Sequence, residues 1–295
     1  MVPVVFGITL IVFVLVRVSG DPVVLLLPED AEPWQVEELR EALGLDRPIA
    51  TQYGMYLRDL MRGDFGTSLR YSNQAALPIV LERLPATMQL ALAALLVAVA
   101  ISFPLGIVAA VYRNRWPDVT ATGFAVLGQA MPNFWLGIML ILLFSVTLGW
   151  LPVSGRGGLG SLVLPAFTLG TSHAALLTRL MRSSLLEVLA QDYIRTATAK
   201  GLRQHMVVLA HGVRNALLAY VTVLGLQVAT LMAGAVVTEQ VFAWPGIGLL
   251  TIQAIHSRDM AVIQGVVVVA ALIVMIANLV VDVLYARIDP RISYT

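Results

Sequence analysis

Lys200 is the only lysine of the 295-residue chain, and its neighbours limit the chemistry it can do. A nucleotide-binding P-loop holds phosphates with a lysine that follows glycine and precedes serine or threonine. Lys200 instead lies between Ala199 and Gly201, so it cannot belong to such a loop. We therefore expect no cofactor in this chain. If the protein uses ATP, then ATP and Mg²⁺ are expected in separate ATPase subunits.

The other residue types that carry catalysis or bind metals are too scattered to form a site. The chain has no cysteine, which excludes thiol catalysis and cysteine metal sites. Ser154 and His173 could suggest an intramembrane protease, but Ser154 has no strained nucleophile turn and no orienting acid. No metal-ligand spacing occurs among His173, His205, His211 and His256. The sequence therefore predicts neither an enzyme nor a metal site.

Composition indicates that these residues belong to a membrane protein. The chain is 58% hydrophobic and only 13% charged, whereas a soluble domain carries about 25% charged residues. Several apolar runs are long enough to cross a bilayer. The net charge of +1 gives no sign of a nucleic-acid partner. We therefore predict an all-α integral membrane protein in contact with the lipid bilayer.

Six apolar stretches predict six transmembrane helices. The third is too long for an unbroken perpendicular helix, so it is expected to tilt or to break at Met131-Pro132-Asn133. Helix 1 is predicted over 1–18. A polar segment with amphipathic helices is predicted over 19–86, and the permease core with helices 2 to 6 is predicted over 87–295. The spans cover residues 1–18, 87–111, about 119–149, about 161–181, about 216–238 and about 261–286.

Positive charges in the short loops predict the orientation. Most arginines of the short segments follow the second and fourth spans, whereas the short loops of the opposite side hold only Arg156 and Arg258. Positive residues concentrate on the cytoplasmic side of membrane proteins. Both termini are therefore expected in the cytoplasm, together with residues 183–218, and residues 19–86 are expected outside the cell. Near the cytoplasmic side, Arg179 and Arg182 are predicted to extend to the membrane surface.

Residues 183–218, called the cytoplasmic knob below, interrupt the apolar pattern with two short helical patterns. Lys200 followed by Gly201 is a helix-stop signal, because a cation suits the last turn and glycine tolerates a positive φ. A compact helical knob between two spans indicates a docking site for a soluble partner. The apolar face of the first helix combines Leu186, Leu189, Tyr193 and Ala197.

The knob also resembles a known family. The sequence DYIRTATAKGL at 192–202, followed by VRNALL at 213–218, resembles the cytoplasmic "EAA" loop of ABC-importer permeases of the dipeptide, oligopeptide and nickel class. The resemblance covers essentially the whole chain, although Ala219 and Ala261 stand where the family commonly has proline. The other shared motifs are LGLDRP at 43–48, GDFG at 63–66, RLPAT at 83–87, VFAWPGIG at 241–248 and DPR at 289–291.

The resemblance implies a fold and a set of partners. It implies the type I ABC-importer transmembrane domain, with an extracytoplasmic helical segment after helix 1. It also implies a second homologous permease, two ATPase subunits and an extracytoplasmic substrate-binding protein, in a bacterial or archaeal cell membrane. The family usually has a basic lead-in before helix 1, and its absence indicates either a late start codon or a truncated chain.

In that family the loop docks into a groove of the ATPase. The resemblance implies that Tyr193, Ile194 and Ala197 fill the apolar groove, and that Gly201 allows the turn after the helix. Charged residues of the helix would make contacts at the rim of the groove. The complete set expected to couple to the ATPase is Glu187, Asp192, Tyr193, Ile194, Arg195, Thr196, Ala197, Ala199, Lys200 and Gly201.

A few polar or small residues inside the predicted spans are candidates for the substrate path. Polar groups at membrane depth are costly, and they commonly mark a path for solutes. Hydrogen bonding between helices is the alternative role for the same side chains. His173 is expected to pack within the helix bundle. The candidates for the path are Gln129, Asn133, Gln227, Thr230 and Gly234.

Taken together, the residues and the resemblance predict a permease subunit of an ATP-driven importer of dipeptides and oligopeptides. The same architecture could carry glutathione-like, nickel-chelate or oligosaccharide cargo. An ion-coupled secondary transporter is the alternative from a different class. It would need carboxylates at mid-membrane, usually within inverted repeats, whereas the acids of this chain lie in loops or near the ends of spans.

Overall fold

The computed structural model describes residues 2–18, 32–42, 44–68 and 70–288. Within these ranges the regular structure is helical, apart from one antiparallel bridge between Thr67 and Ala75. The DPR motif at 289–291 and residues 19–31 of the predicted outer segment lie outside the described residues. The helices are α1 (Val2–Val18), α2 (Pro33–Ala42), α3 (Ile49–Met61), α4 (Ala76–Val111), α5 (Trp116–Ala130), α6 (Asn133–Leu140), α7 (Leu159–Leu189), α8 (Asp192–Ala199), α9 (Gln204–Met206), α10 (Arg214–Val241), α11 (Ile247–His256) and α12 (Met260–Ile288), with π-helical segments at Ile141–Thr147 and Val207–Val213.

Four of the described helices are long and apolar enough to cross a membrane, and a bent pair makes a fifth candidate. The sixth predicted span is α1, whose 17 residues rise about 25 Å. The count of six and the orientation stay predictions. The four long spans are Ala76–Val111, Leu159–Leu189, Gln204–Met232 and Met260–Val281.

The bent pair confirms the break predicted within the third span. Helix α5 and the helical stretch Asn133–Thr147 meet at an angle of 103°. Met131 adopts an extended backbone, with φ −78° and ψ 125°, directly before Pro132. A proline ring clashes with an α-helical conformation of the residue before it. The break is therefore a local consequence of Pro132.

The described chain divides into two compact units. One contains residues 1–82 and Leu250–Met275, and the other contains Arg83–Leu249 and Ile276–Thr295. The second unit holds the cytoplasmic knob and the candidate path residues. The predicted division into helix 1, an outer segment and a permease core stays a prediction.

In the first unit, aromatic rings join α1 to α3. The ring of Tyr53 lies 5.1 Å from that of Phe13 and 5.7 Å from that of Phe6, both in edge-on geometry. The Tyr53 hydroxyl is also 3.0 Å from the hydroxyl of Thr9. Elsewhere in this unit, buried Asp259 accepts a hydrogen bond from the Ser68 hydroxyl and caps the start of α12 through the Val262 amide.

In the second unit, α7 packs closely against α4 because glycines lie at their contacts. A Cβ atom on Gly170 would lie 2.6 Å from the Ala94 carbonyl oxygen. A Cβ atom on Gly106 would lie 2.6 Å from the Cβ of Met181. Real Cβ atoms do not approach other atoms this closely, so only glycine permits these backbone distances. Helix α7 is consequently the central element of this unit.

Asp118, which is buried, and Arg182, which is half-buried, form an ion pair between α5 and α7. The Arg182 Nε donates to Asp118 Oδ1 at 2.6 Å, and its Nη2 donates to Oδ2 at 2.7 Å. The Asn114 amide and the Thr122 hydroxyl also donate to this carboxylate, which is only 4% exposed. Asp118 in the first turn of α5 thus offers Arg182 a close, anionic acceptor, and its extension to the membrane surface stays a prediction.

Substitution at the α4–α7 contact is expected to reduce stability. Gly170→Ala forces a methyl group onto a backbone oxygen that cannot rotate away, and overpacking of this kind costs about 1–3 kcal/mol. The matched control is Gly123→Ala in α5, where a Cβ meets nothing within 4 Å. The thermal midpoint of the purified chain in detergent should fall for the first variant and stay level or rise for the second. Equal midpoints would contradict the close contact.

Loss of one partner of the Asp118–Arg182 pair should be more harmful than loss of both. Asp118→Asn leaves the half-buried Arg182 guanidinium without its carboxylate, and the loss should stay below the cost of breaking a fully buried pair, about 3–5 kcal/mol. The double variant Asp118→Asn with Arg182→Gln should recover part of that loss. Asp192→Asn is the control, since its pair with Arg195 is exposed, with side chains 94% and 77% accessible. Thermal unfolding of these proteins and of the Arg182→Gln single variant tests this, and additive losses would contradict the pairing.

Candidate coupling surface and translocation path

Helix α8 of the knob has the start and the end that its sequence predicts. It begins after Gln191, whose backbone is extended at φ −72° and ψ 152°, and Asp192 occupies the first turn, where a carboxylate suits the helix dipole. Helix α8 ends before Lys200, and Gly201 follows with φ +81°. The predicted glycine turn is therefore confirmed. A Cβ at Gly201 would meet nothing within 4 Å, so backbone conformation alone favours glycine there.

The apolar face of α8 is covered by this chain itself. Ile194 is 5% exposed and Ala197 is 9% exposed, and both pack in one cluster with Val207 and Leu189. We expected both side chains to fill a groove of a partner, and the structure gives them a different role. They anchor α8 to the end of α7 and to the π-helical segment, because an amphipathic helix places its apolar stripe on the nearest apolar surface.

The rest of α8 is open. Tyr193, which the sequence pattern placed on the apolar face with Ala197, is 45% exposed, and Leu202 and Met206 after the helix are exposed too. Arg195 and Asp192 form a solvent-exposed ion pair at 3.3 Å. Of the residues predicted to couple, the exposed ones are Glu187, Asp192, Tyr193, Arg195, Thr196, Ala199, Lys200 and Gly201.

Asn215 positions the exposed tyrosine, a role that sequence reasoning missed. Its Nδ2 donates to the Tyr193 hydroxyl at 3.1 Å and to the His211 carbonyl at 2.7 Å. Asn215 lies in the VRNALL motif, so the signal was present as part of the resemblance. The two halves of the "EAA" loop are therefore joined by a side-chain hydrogen bond between Tyr193 and Asn215.

The candidate path residues lie on several elements. Gln227 of α10 is bonded within the bundle, since its Oε1 accepts from the Thr230 hydroxyl at 2.7 Å and lies 2.9 Å from His173 Nδ1 of α7. This contact between helices is the alternative role considered for Gln227. Thr230 is nevertheless exposed. Gly234 lies in the same helix, α10.

Gln129 and Asn133 flank the break between α5 and α6. Gln129 is exposed in the last turn of α5 and accepts a hydrogen bond from Arg179 Nη2. Asn133 is half-buried and begins α6 directly after Pro132. Irregular backbone at membrane depth is tolerated where it is covered by protein or lines a water-filled cavity. The break therefore suits a position beside a path.

A buried carboxylate explains two further motifs. Glu239 is fully buried and accepts hydrogen bonds from the Thr87 hydroxyl at 2.6 Å and from the Leu249 amide at 3.0 Å. A Cβ at Gly246 would lie 2.1 Å from its Oε1 atom. Burial raises the pKa of the Glu239 carboxyl above its usual value. The RLPAT and VFAWPGIG motifs thus meet around one acid that the sequence analysis did not select.

The same two motifs are joined by an indole hydrogen bond. Trp244 is fully buried, and its Nε1 donates to the Ala86 carbonyl at 2.8 Å. The Ile247 amide donates to the Thr87 hydroxyl at 2.8 Å. This cluster fixes the loop after α10 to α4, and its role is structural.

Comparison with known protein families identifies both parts of the chain. The family described as "Binding-protein-dependent transport system inner membrane component" matches residues 102–294. The corresponding family for the N-terminal part of such membrane components matches residues 1–91.

Curated relatives match along the full length. The chain is 40% identical over 304 residues to the oligopeptide transport system permease protein AppB of Bacillus subtilis, covering 99% of this chain and 96% of the relative. It is 41% identical over 295 residues to the glutathione transport system permease protein GsiC of Escherichia coli K12, covering 100% of this chain and 96% of the relative. It is 40% identical over 323 residues to the dipeptide transport system permease protein DppB of Alkalihalophilus pseudofirmus, covering 100% and 97%.

Solved structures share the fold at low sequence identity. An inward-facing MetNI methionine ABC transporter superposes with a TM-score of 0.63 at 18% identity, covering 72% of this chain and 96% of that chain. An amino acid ABC transporter superposes with a TM-score of 0.58 at 12% identity, covering 71% and 94%. With the family matches and the apolar helices, these likenesses show that the chain is a multi-pass membrane protein of the binding-protein-dependent transport system inner membrane component family, the permeases of ABC importers.

Proposed function

We propose that this chain is one of two permease subunits of an ATP-driven importer of dipeptides and oligopeptides, in the cell membrane of a bacterium or archaeon. The observation that carries the proposal is the cytoplasmic knob, whose helix α8 is anchored on one face and exposed on the other. Relatives named for oligopeptide, dipeptide and glutathione transport support a peptide-like cargo. An ion-coupled secondary transporter has no use for such an exposed docking helix.

The proposed energy source is a pair of separate ATPase subunits that hold ATP and Mg²⁺. Tyr193 would enter a groove of the ATPase, because it is the exposed aromatic side chain of α8 and Asn215 orients its hydroxyl. Arg195 and Lys200 would contact the rim of that groove, where charged side chains remain hydrated. An extracytoplasmic binding protein would deliver the cargo, and a second permease would complete the path.

Movement of α8 would reach the spans through rigid contacts. Only Ala190 and Gln191 separate α7 from α8, so a displacement of α8 pulls directly on α7. Helix α7 is fixed to α4 by the contact at Gly170 and to α5 by the Asp118–Arg182 pair. Rocking of packed helices between two arrangements is an established means of alternating access. ATP-driven closure would thereby move the walls of the path.

The proposal is tested on the complex isolated from native membranes through a tag on this chain. The expected companions are a second permease, ATPase subunits and a binding protein. Reconstituted into proteoliposomes with ATP inside, this complex should accumulate a labelled tetra-alanine peptide only when the binding protein is present. Uptake driven by an ion gradient without ATP would overturn the proposal in favour of the secondary transporter.

Gly201→Val should uncouple ATP hydrolysis from transport. A β-branched residue strongly disfavours φ +81°, and the left-handed conformation costs about 1–2 kcal/mol for such residues. The matched control is Gly155→Val, since Gly155 has φ +87°, likewise meets nothing within 4 Å, and lies in a predicted outer loop. In proteoliposomes we expect peptide uptake per ATP hydrolysed to fall at least about fivefold for Gly201→Val alone. Unchanged coupling with normal membrane insertion would contradict the role of the turn.

A further inference from the structure

Arg179 is a charged side chain of α7 without a charged partner among the described residues. It is exposed on the surface of its unit, and its guanidinium donates a hydrogen bond to the neutral amide oxygen of Gln129. Arg182, one turn further along α7, is instead neutralised by Asp118. The two arginines therefore differ in kind, because one charge is satisfied inside the protein and the other is available to a ligand.

The position of Gln129 shows that the Arg179 side chain points toward the start of α7. Helices α5 and α7 run antiparallel, and Gly128 of α5 packs beside Thr171 and Ala175 of α7. Helical side chains lean toward the start of their own helix. Arg179 thus leans toward the outer end of α7, and Gln129 leans back toward the cytoplasm to meet it.

The depth of this contact can be compared with that of the Asp118–Arg182 ion pair. Gln129 lies about 16 Å beyond Asp118 along the axis of α5, at 1.5 Å per residue. Trp116 lies two residues before Asp118 at the start of α5. It is 77% exposed, and tryptophan suits the headgroup region. The guanidinium of Arg179 therefore lies deeper in the predicted span than the Asp118–Arg182 pair.

An exposed guanidinium at this depth cannot face hydrocarbon at low cost. Charged residues within spans usually face water-filled cavities or pair with other groups. The neighbouring break at Pro132 also requires cover by protein or a cavity. Both features favour a water-filled path along this side of α5 and α7.

We propose that Arg179, oriented by Gln129, is an anion-binding point of the translocation path that takes the C-terminal carboxylate of the peptide cargo. A planar guanidinium presents several donors that match a carboxylate, and Gln129 occupies one of them and leaves others free. A single hydrogen bond to a neutral amide keeps the side chain in place without cancelling its charge. This inference rests on the proposed function for the identity of the cargo, although the anion site can be tested without any cargo.

The charge of the site is measured with thiol reagents of opposite charge. The chain has no cysteine, so Ser172→Cys, two turns before Arg179 on the same face of α7, provides its only thiol. In a complex with cysteine-free partners, the measured quantity is the reaction rate of an anionic methanethiosulfonate divided by that of a cationic one. The positive charge of Arg179 should raise this rate ratio. Arg179→Gln should lower this rate ratio at least about fivefold. Arg179→Lys should preserve most of it.

Two further variants separate charge from structure. Gln129→Glu places a carboxylate on the guanidinium and should lower the ratio as Arg179→Gln does, while Gln129→Leu, which releases the side chain but keeps its charge, should lower it less. The matched control is Arg156→Gln, because Arg156 also donates to a glutamine, Gln89, but lies in a predicted outer loop. This control should leave the ratio unchanged. A thiol at 172 that reacts with neither reagent in the presence or absence of ATP would overturn the inference.

The carboxylate preference is measured by import of tetra-alanine with a free C-terminus and of its C-terminal amide. Both are supplied at concentrations that saturate the binding protein. Arg179→Gln should lower import of the free acid about tenfold and import of the amide less than twofold. Equal loss of both peptides would overturn the inference and leave the proposed function intact. If the wild-type complex imported neither peptide, the proposed function would fail, and the reagent ratio would still decide the anion site.

Discussion

The close approach of α7 to its neighbours is the constraint on which the rest of this unit depends. Where Gly170 meets the Ala94 carbonyl, the distance leaves no room for even one methyl group. The hydrophobic effect supplies little force between helices in lipid, so close packing at small residues and interhelical polar contacts must hold them together. The Asp118–Arg182 pair provides such a polar contact toward α5. Helix α7 is thereby fixed on two sides and can move only together with its neighbours.

This constraint explains why a short helix at the membrane surface can affect a path inside the membrane. Helix α8 buries Ile194 and Ala197 against its own chain, so it cannot slide independently of α7. A force on the open face of α8 is therefore transmitted to α7, which is packed against α4 and α5. Packed interfaces respond by switching between discrete arrangements and not by gradual deformation. In the proposed coupling, the anchored face of α8 is thus as important as the exposed one.

Local sequence signals predicted local features well. The break at Pro132 and the turn at Gly201 were predictable because each depends on the backbone preferences of one or two adjacent residues. Partners that lie far away in the sequence were not predictable. Arg182 bonds to Asp118, 64 positions away, and Gln227 lies beside His173, 54 positions away. Ile194 packs against Val207, 13 positions away. An amphipathic pattern shows that one face of α8 is apolar, but it does not show whether that face meets its own chain or a partner.

The two arginines of α7 show how much depends on such distant partners. Arg179 and Arg182 lie one turn apart with similar surroundings in the sequence, so residue type alone assigned both the same position at the membrane surface. Asp118 neutralises one of them and leaves the other with an amide. A carboxylate opposite Arg179 would have made a second ion pair between α5 and α7 and neutralised this charge as well. The presence of Gln129 at that place instead keeps a positive charge available on a surface next to a broken helix, where a hydrated path and an anionic solute would both be stabilised.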